Sequence, residues 1–222
     1  MGILDGRICI VTGAAGGLGR ASAVRFVAEG AKVMLVDRDR TPLDAVLKSL
    51  PEGRATAMLV DVTNAKETTA YVDATVARWG PIDVLFSNAG ISGVIRQVTD
   101  YPEGVFDAVV AVNLKGSFLA CKHGLGKMRD GGSIIMTSSV VGVTGDPGIS
   151  AYAASKHGLV GLMRTVAKEA VSRHIRVNVV ASGPVDNEQK VVETVLFLAS
   201  DKSAFTTGSV VMTDGGTADL SL

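Results

Sequence analysis

Ile8-Cys9-Ile10-Val11-Thr12-Gly13-Ala14-Ala15-Gly16-Gly17-Leu18-Gly19 runs from an apolar strand-length segment into a Gly-rich turn, and an amphipathic stretch follows at once. A strand that turns through glycines into a helix opens a βαβ unit, and each glycine has its own task. Gly13 ends the strand, Gly17 lets backbone approach a ligand, and Gly19 lets the helix pack closely on the sheet. The free amides at the helix start, with Leu18 among the expected contacts, suit a pyrophosphate. Such a turn alone is weak evidence, since some are merely tight βα connections; a strand before it and a helix after it favour the ligand.

Outward from this turn, apolar runs alternate with longer amphipathic stretches. The pattern predicts strands over 7–12, 32–36, 55–60, 82–86, 132–137, 175–181 and 209–213, and helices over 17–29, 42–49, 64–79, 103–128, 152–173 and 189–199. Alternation of this kind builds an α/β fold with a parallel sheet. Right-handed crossovers make it a Rossmann-like, doubly wound, three-layer sandwich of about seven strands, with ligands at the strands' carboxyl ends. No Pro/Ser-rich linker, charge run or repeat interrupts the chain, so 1–222 reads as a single domain.

Lys plus Arg equals Asp plus Glu at 22 each, which leaves no basic footprint for nucleic acid or an anionic membrane. A small-molecule partner is expected instead. The start, Met1-Gly2-Ile3-Leu4-Asp5-Gly6-Arg7, carries an acid where a signal peptide needs basic residues, and no apolar run approaches the length of a membrane span. A soluble, cytoplasmic protein is the expectation. Cys9 and Cys121 read as buried, inert thiols, and His123, His157 and His174 lack any metal-ligand spacing, so no metal is predicted.

About twenty residues past the Gly-rich turn, Val33-Met34-Leu35-Val36 runs into Asp37, the place for a carboxylate that takes both adenosine ribose hydroxyls and repels a 2′-phosphate. Arg38 follows as a lone cation, so NAD is favoured over NADP. Asp61-Val62 ends the third strand, where Asp61 either reaches an adenine edge or caps the next helix. Asn88-Ala89-Gly90 ends the fourth at the crevice; small residues there let the chain pass close to a ribose, and a plain turn explains them as well. Gly183 and Val185, after the sixth strand, complete the predicted cofactor contacts.

Tyr152-Ala153-Ala154-Ser155-Lys156 places a phenol and an ammonium about one helical turn apart, on one face. A fixed cation nearby would favour the phenolate, whose free pKa near 10 is otherwise too high for a base at neutral pH. Taken singly, Tyr152 is an ordinary helix-start aromatic and Lys156 an exposed helix lysine; together with a strand-end serine they are more.

At this point the chain resembles the short-chain dehydrogenase/reductase family over nearly its whole length. The matching motifs, in order, are the glycine turn at 12–19, Asn88-Ala89-Gly90, Asn113 within Val112-Asn113-Leu114-Lys115-Gly116, the serine strand 133–139, Tyr152 with Lys156, and Asp214-Gly215-Gly216. The resemblance implies a catalytic set of Ser139, Tyr152, Lys156 and Asn113. Tyr152 would exchange a proton with the substrate oxygen, Ser139 would hydrogen-bond that oxygen, and Lys156 would lower the Tyr152 pKa and bind the nicotinamide ribose. Asn113 would hold a water linking Lys156 to solvent. It also implies a homotetramer.

One departure stands out. Relatives follow the sixth strand with Pro-Gly and a long substrate loop, whereas here Ser182-Gly183-Pro184-Val185-Asp186 leads almost directly into the final helix; the roughly 25 to 30 residues of lid expected near 185–189 are either truly deleted or a loop left out between Val185 and Asp186, and the ordinary flanks favour the latter. Val94, Ile95, Val141, Val143 and Ile149 suggest an apolar or aromatic secondary alcohol or ketone. Two alternatives remain open: an NADPH-dependent ketoreductase, such as one acting on 3-oxoacyl thioesters, and a nucleotide-binding scaffold that lost catalysis with its lid.

Overall fold

The computed structural model describes residues 2–183, 188–216 and 218. Its strands are β1 (Ile8–Thr12), β2 (Lys32–Asp37), β3 (Ala55–Leu59), β4 (Ile82–Ser87), β5 (Met128–Ser139), β6 (Arg176–Ser182) and β7 (Val210–Thr213). They form one sheet in the order β3-β2-β1-β4-β5-β6-β7, with every neighbouring pair parallel. The order reverses between β1 and β4, which opens a crevice at their carboxyl ends.

Helices α1 (Gly17–Ala28), α2 (Arg40–Ser49), α3 (Ala65–Trp79), α4 (Glu103–Val110), α5 (Gly116–Gly124), α6 (Ser150–Ala170) and α7 (Glu188–Ala199) cover the sheet. Alternation along each strand sends successive side chains into different cores. Cys9, Val11, Val33 and Leu35 pack with Phe26, Leu43 and Val195, from α1, α2 and α7. Ile10, Met34 and Val36 join Tyr71, Cys121 and Met163, from α3, α5 and α6. This is the doubly wound, three-layer arrangement expected from the sequence.

Element boundaries moved where tertiary context outweighs pattern. β5 begins at Met128, four residues before the predicted start, because Met128 pairs with Ile82 and the register then slips before Val84 meets Ser133. α6 begins at Ser150 rather than 152. The helix expected over 103–128 is interrupted by a π turn at Ala111–Lys115, where one extra residue per turn widens the coil and Asn113 is buried. Single π turns of this kind often re-aim a side chain at a functional site.

The expectation that no segment matches a membrane span needs correction. Glu103–Lys127, a helical run of 25 residues, reaches a mean hydropathy of 1.4 in its most apolar 18-residue window, with 39 % of that window buried. Val109, Leu119 and Ala120 on this run are buried against the rest of the fold, whereas Phe106 and Phe118 are exposed. A core helix passes the same test of length and composition.

At the amino ends of the strands Asp83, only 4 % exposed, ties the first and fourth strands together. Its Oδ2 accepts from the Ile8 amide at 2.9 Å, and its Oδ1 meets Arg7 Nη1 at 3.1 Å and Arg129 Nε at 3.2 Å. Asp83→Ala leaves the buried Ile8 amide without its acceptor, while Arg7 keeps its pair with Asp201, and is expected to cost about 1–3 kcal/mol. Urea unfolding of the variant checks this: a midpoint unchanged from wild type would show that the cluster contributes nothing.

Candidate active site

The Gly-rich turn is held by steric necessity. A Cβ on Gly19 would stand 2.0 Å from the Gly13 carbonyl oxygen, and one on Gly13, whose φ is +67°, would stand 2.9 Å from Ala89 Cα. Gly16, the N-cap of α1, supplies no side-chain cap, so no side chain satisfies the first-turn amides of that helix there. The turn lines a cavity of about 410 Å³ with Gly13, Gly17 and Leu18. Gly19 lies beneath it, in the packing the glycine spacing implied.

Asp37 lies at the rim with Arg38. Its Oδ2 accepts from the Ala15 amide at 2.9 Å, and its Oδ1 from the Arg38 and Asp39 amides at 2.7 and 3.1 Å. Asp61 and Val62 line the same cavity. The helix-cap reading of Asp61 is corrected: α3 is capped by Asn64, whose side chain accepts from the Lys66 and Glu67 amides. Asp61 instead accepts from Thr63 N at 2.9 Å. Backbone and side-chain bonds from Thr63 hold its carboxyl below the usual range.

Asn88, Ala89 and Gly90 form the opposite wall of the cavity. Asn88 is more than a turn residue. Its Nδ2 donates to Thr12 O at 3.2 Å and Gly13 O at 3.4 Å, while its Oδ1 accepts from Thr137 Oγ1 at 2.9 Å. Thr12 Oγ1 in turn accepts from the Asn88 and Ala89 amides at 3.0 and 3.1 Å. Sequence reasoning missed Thr12 and Thr137. Their only signal was a hydroxyl at or near the carboxyl end of a strand that meets the crevice.

Thr137 leads to the catalytic candidates. Its carbonyl accepts from Lys156 Nζ at 2.7 Å, and that amine stands 5.3 Å from the centroid of the Tyr152 ring. Lys156 is buried, not an exposed helix lysine, and burial lowers its pKa to about 8. Burial also raises Tyr152, partly opposed by the Ser139 hydroxyl. Ser139 ends β5, its Oγ accepting from Val141 N at 3.4 Å, while Ser138 turns away to bond Lys156 O.

Asn113 is held from three sides. Its Oδ1 accepts from Ile91 N at 2.8 Å, and its Nδ2 donates to Ile91 O at 3.0 Å and Ser155 Oγ at 2.9 Å. A Cβ on Gly90 would come within 3.2 Å of Asn113 Oδ1 and 3.5 Å of Lys156 Nζ. Lys156 and Asn113 therefore adjoin the nucleotide-type cavity through Gly90, and none of Ser139, Tyr152, Lys156 and Asn113 lines it. Gly183 lies apart, its amide directed to Thr213 O at 3.4 Å, and Val185 lies outside the described residues, as does most of the expected lid position. The loops carrying Ile95 and Gly148 are joined by Arg96 N to Gly148 O at 2.9 Å. Val94, Ile95 and Val143 are exposed there, and Val141 is buried.

Cys9 and Cys121 are buried thiols, Cys9 pushed far up by desolvation and Cys121 to about 12.

Comparison with known proteins agrees with this geometry. The family profile described as short chain dehydrogenase matches residues 7–194. A protein of Thermotoga maritima named 3-oxoacyl-[acyl-carrier-protein] reductase FabG is 37 % identical over 243 aligned positions, covering 96 % of this chain and 98 % of the relative. Levodione reductase of Leifsonia aquatica is 36 % identical over 249 positions, covering 95 % and 93 %. A crystal structure of levodione reductase superposes with a TM-score of 0.89 at 36 % identity, covering 96 % of this chain and 98 % of that one.

The buried amine has a measurable consequence. Lys156 falls from an ordinary 10.5 to about 8, so between those values the unfolded chain binds a proton that the folded chain does not, and stability rises with pH through that window. Below it the charge costs about 3 kcal/mol, from the size of the shift. Lys156→Met is expected to stabilise the protein at neutral pH, less whatever the lost Thr137 bond contributes, and its advantage is expected to shrink as pH climbs from 8 to 10.5. Urea unfolding across that range checks the slope; a difference independent of pH would rule out the charge as its source.

Proposed function

The chain belongs to the short-chain dehydrogenase/reductase family of nicotinamide-dependent oxidoreductases, and from that premise we propose that it interconverts a secondary alcohol and its ketone with NAD, using Tyr152 as the acid/base. The observation that carries the reading is the meeting of Ser139, Tyr152 and Lys156 where β5 and the start of α6 adjoin the glycine-lined cavity. No structural requirement of the fold explains all three together.

The nicotinamide would supply the hydride acceptor or donor. In ketone reduction Tyr152 gives its phenolic proton to the carbonyl oxygen as carbon gains hydride; in alcohol oxidation it takes that proton back. Ser139 donates to the same oxygen and limits its freedom. Lys156, fixed by Thr137, keeps a positive charge near the ring, and Asn113 holds the adjacent Ile91 backbone and Ser155 in place.

NAD is favoured because Asp37 and Asp39 both line the cavity, with Arg38 as the cation among its lining residues. A 2′-phosphate placed there would meet two carboxylates. The exposed Val94, Ile95 and Val143 support an apolar or aromatic substrate. The name of the Thermotoga relative keeps 3-oxoacyl thioesters among the carbonyl compounds to assay.

A reduced lid is part of the proposal. The chain passes from β6 to α7 through residues 183–187 alone, and the alignment to the Thermotoga relative spans 243 positions against a chain of 222 residues. Half-exposed Phe118 on α5 and fully exposed Phe205 support association into a homotetramer.

Tyr152→Phe is expected to lower turnover about 10²–10⁴-fold while NADH binding, followed by fluorescence, stays within experimental scatter. Comparable activity in the variant would sink the mechanism. Asp37→Ala is expected to weaken NAD and to narrow its preference over NADP; an unchanged NAD-to-NADP ratio of dissociation constants would remove the argument for NAD.

A further inference from the structure

Glu188 opens α7, and its side chain reaches the Gly-rich turn. A Cβ built on Gly17 would stand 3.5 Å from Glu188 Oε1. The carboxylate is therefore in contact range of the first residue of α1, which lines the cavity and begins the run of uncapped amides. Packing fixes this proximity. Phe26 and Val27 of α1 share a core with Val191 and Val195 of α7, and Arg25 and Glu193 pair at 2.5 Å. The two helices thus start side by side.

The charge around the cavity gives the contact its meaning. Asp37, Asp39 and Asp61 line it, and Arg38 is the cation among the lining residues. The first turn of α1 carries no acidic side chain of its own. A diphosphate on this turn would be held by backbone amides and the helix dipole, with few cations in support. A carboxylate against Gly17 then acts directly on its negative charge.

We propose that Glu188 is a brake on the diphosphate subsite: it repels the diphosphate of the dinucleotide, weakens both redox forms alike and speeds cofactor release. The inference rests on the nicotinamide-binding reading above and adds a residue that the motifs of that reading do not include. Repulsion across the subsite would be screened by salt, whereas attraction of the same phosphates to an unopposed helix start would weaken with salt.

The test is calorimetric titration of the full chain and of Glu188→Gln with ADP-ribose, which carries the diphosphate, and with adenosine, which does not. The variant is expected to bind ADP-ribose about tenfold more tightly, from like charges several ångströms apart in a partly screened site, with adenosine affinity unchanged. Between about 0.01 M and about 1 M salt, where the screening length falls from about 30 to about 3 Å, the gap between variant and wild type is expected to close. Glu188→Lys should exceed the gain of Glu188→Gln at low salt. Equal ADP-ribose affinity in wild type and Glu188→Gln, or weaker binding by the variant, overturns the proposal. Failure of wild type and variant alike to bind ADP-ribose and NADH overturns the nicotinamide reading itself, and the brake with it.

Discussion

The side-chain amide of Asn88 is the interaction on which the rest of the site depends. It donates to the carbonyls of Thr12 and Gly13 and accepts from Thr137, so it spans the ends of three adjacent strands. Parallel strands end in unpaired backbone groups that a buried crevice must satisfy from somewhere. One amide, with donors on one side and an acceptor on the other, satisfies several of them without introducing charge. Because Thr137 also receives Lys156, the glycine turn and Lys156 sit on a single hydrogen-bonded frame. A shift at one end would be felt at the other.

Much of this was legible in the sequence because it is local. Strand and helix periods, the glycine spacing and the Tyr152–Lys156 interval are all encoded within a turn or two of chain. What the sequence hid depends on burial or on contact between distant segments. Lys156 reads as a surface lysine by composition alone, and only its position beneath Thr137 makes it a buried base. Asn88 reads as a turn residue, and its three partners lie 49 to 76 positions away. The π turn around Asn113 answers a need to face Ile91 and Ser155, which no periodicity announces. Asp61 was ambiguous for a local reason: Asn64, three residues on, competes for the same cap and prevails.

Burial moves the two titrating candidates toward each other, Lys156 down and Tyr152 up. With protein groups alone around them, the amine gives up its proton before the phenol does. Phenol and ammonium together are then the natural pair at neutral pH, the pair that ketone reduction consumes. A substrate oxygen and a bound dinucleotide both change the charge beside Tyr152, so the balance between the directions is set when the site is filled.

The same division between backbone and side chain governs the nucleotide cavity. Amides of the turn and the start of α1 offer attraction that any phosphate could use, and glycines keep the approach open. The carboxylates of Asp37, Asp39 and Asp61 line the same cavity. Attraction that comes from backbone cannot be tuned by substitution without disturbing the fold, as the close fit of Gly19 against Gly13 shows. Selectivity is therefore free to vary only in the side chains at the rim. In this chain the charged side chains among them are mostly acidic, a lining that acts on phosphate by repulsion.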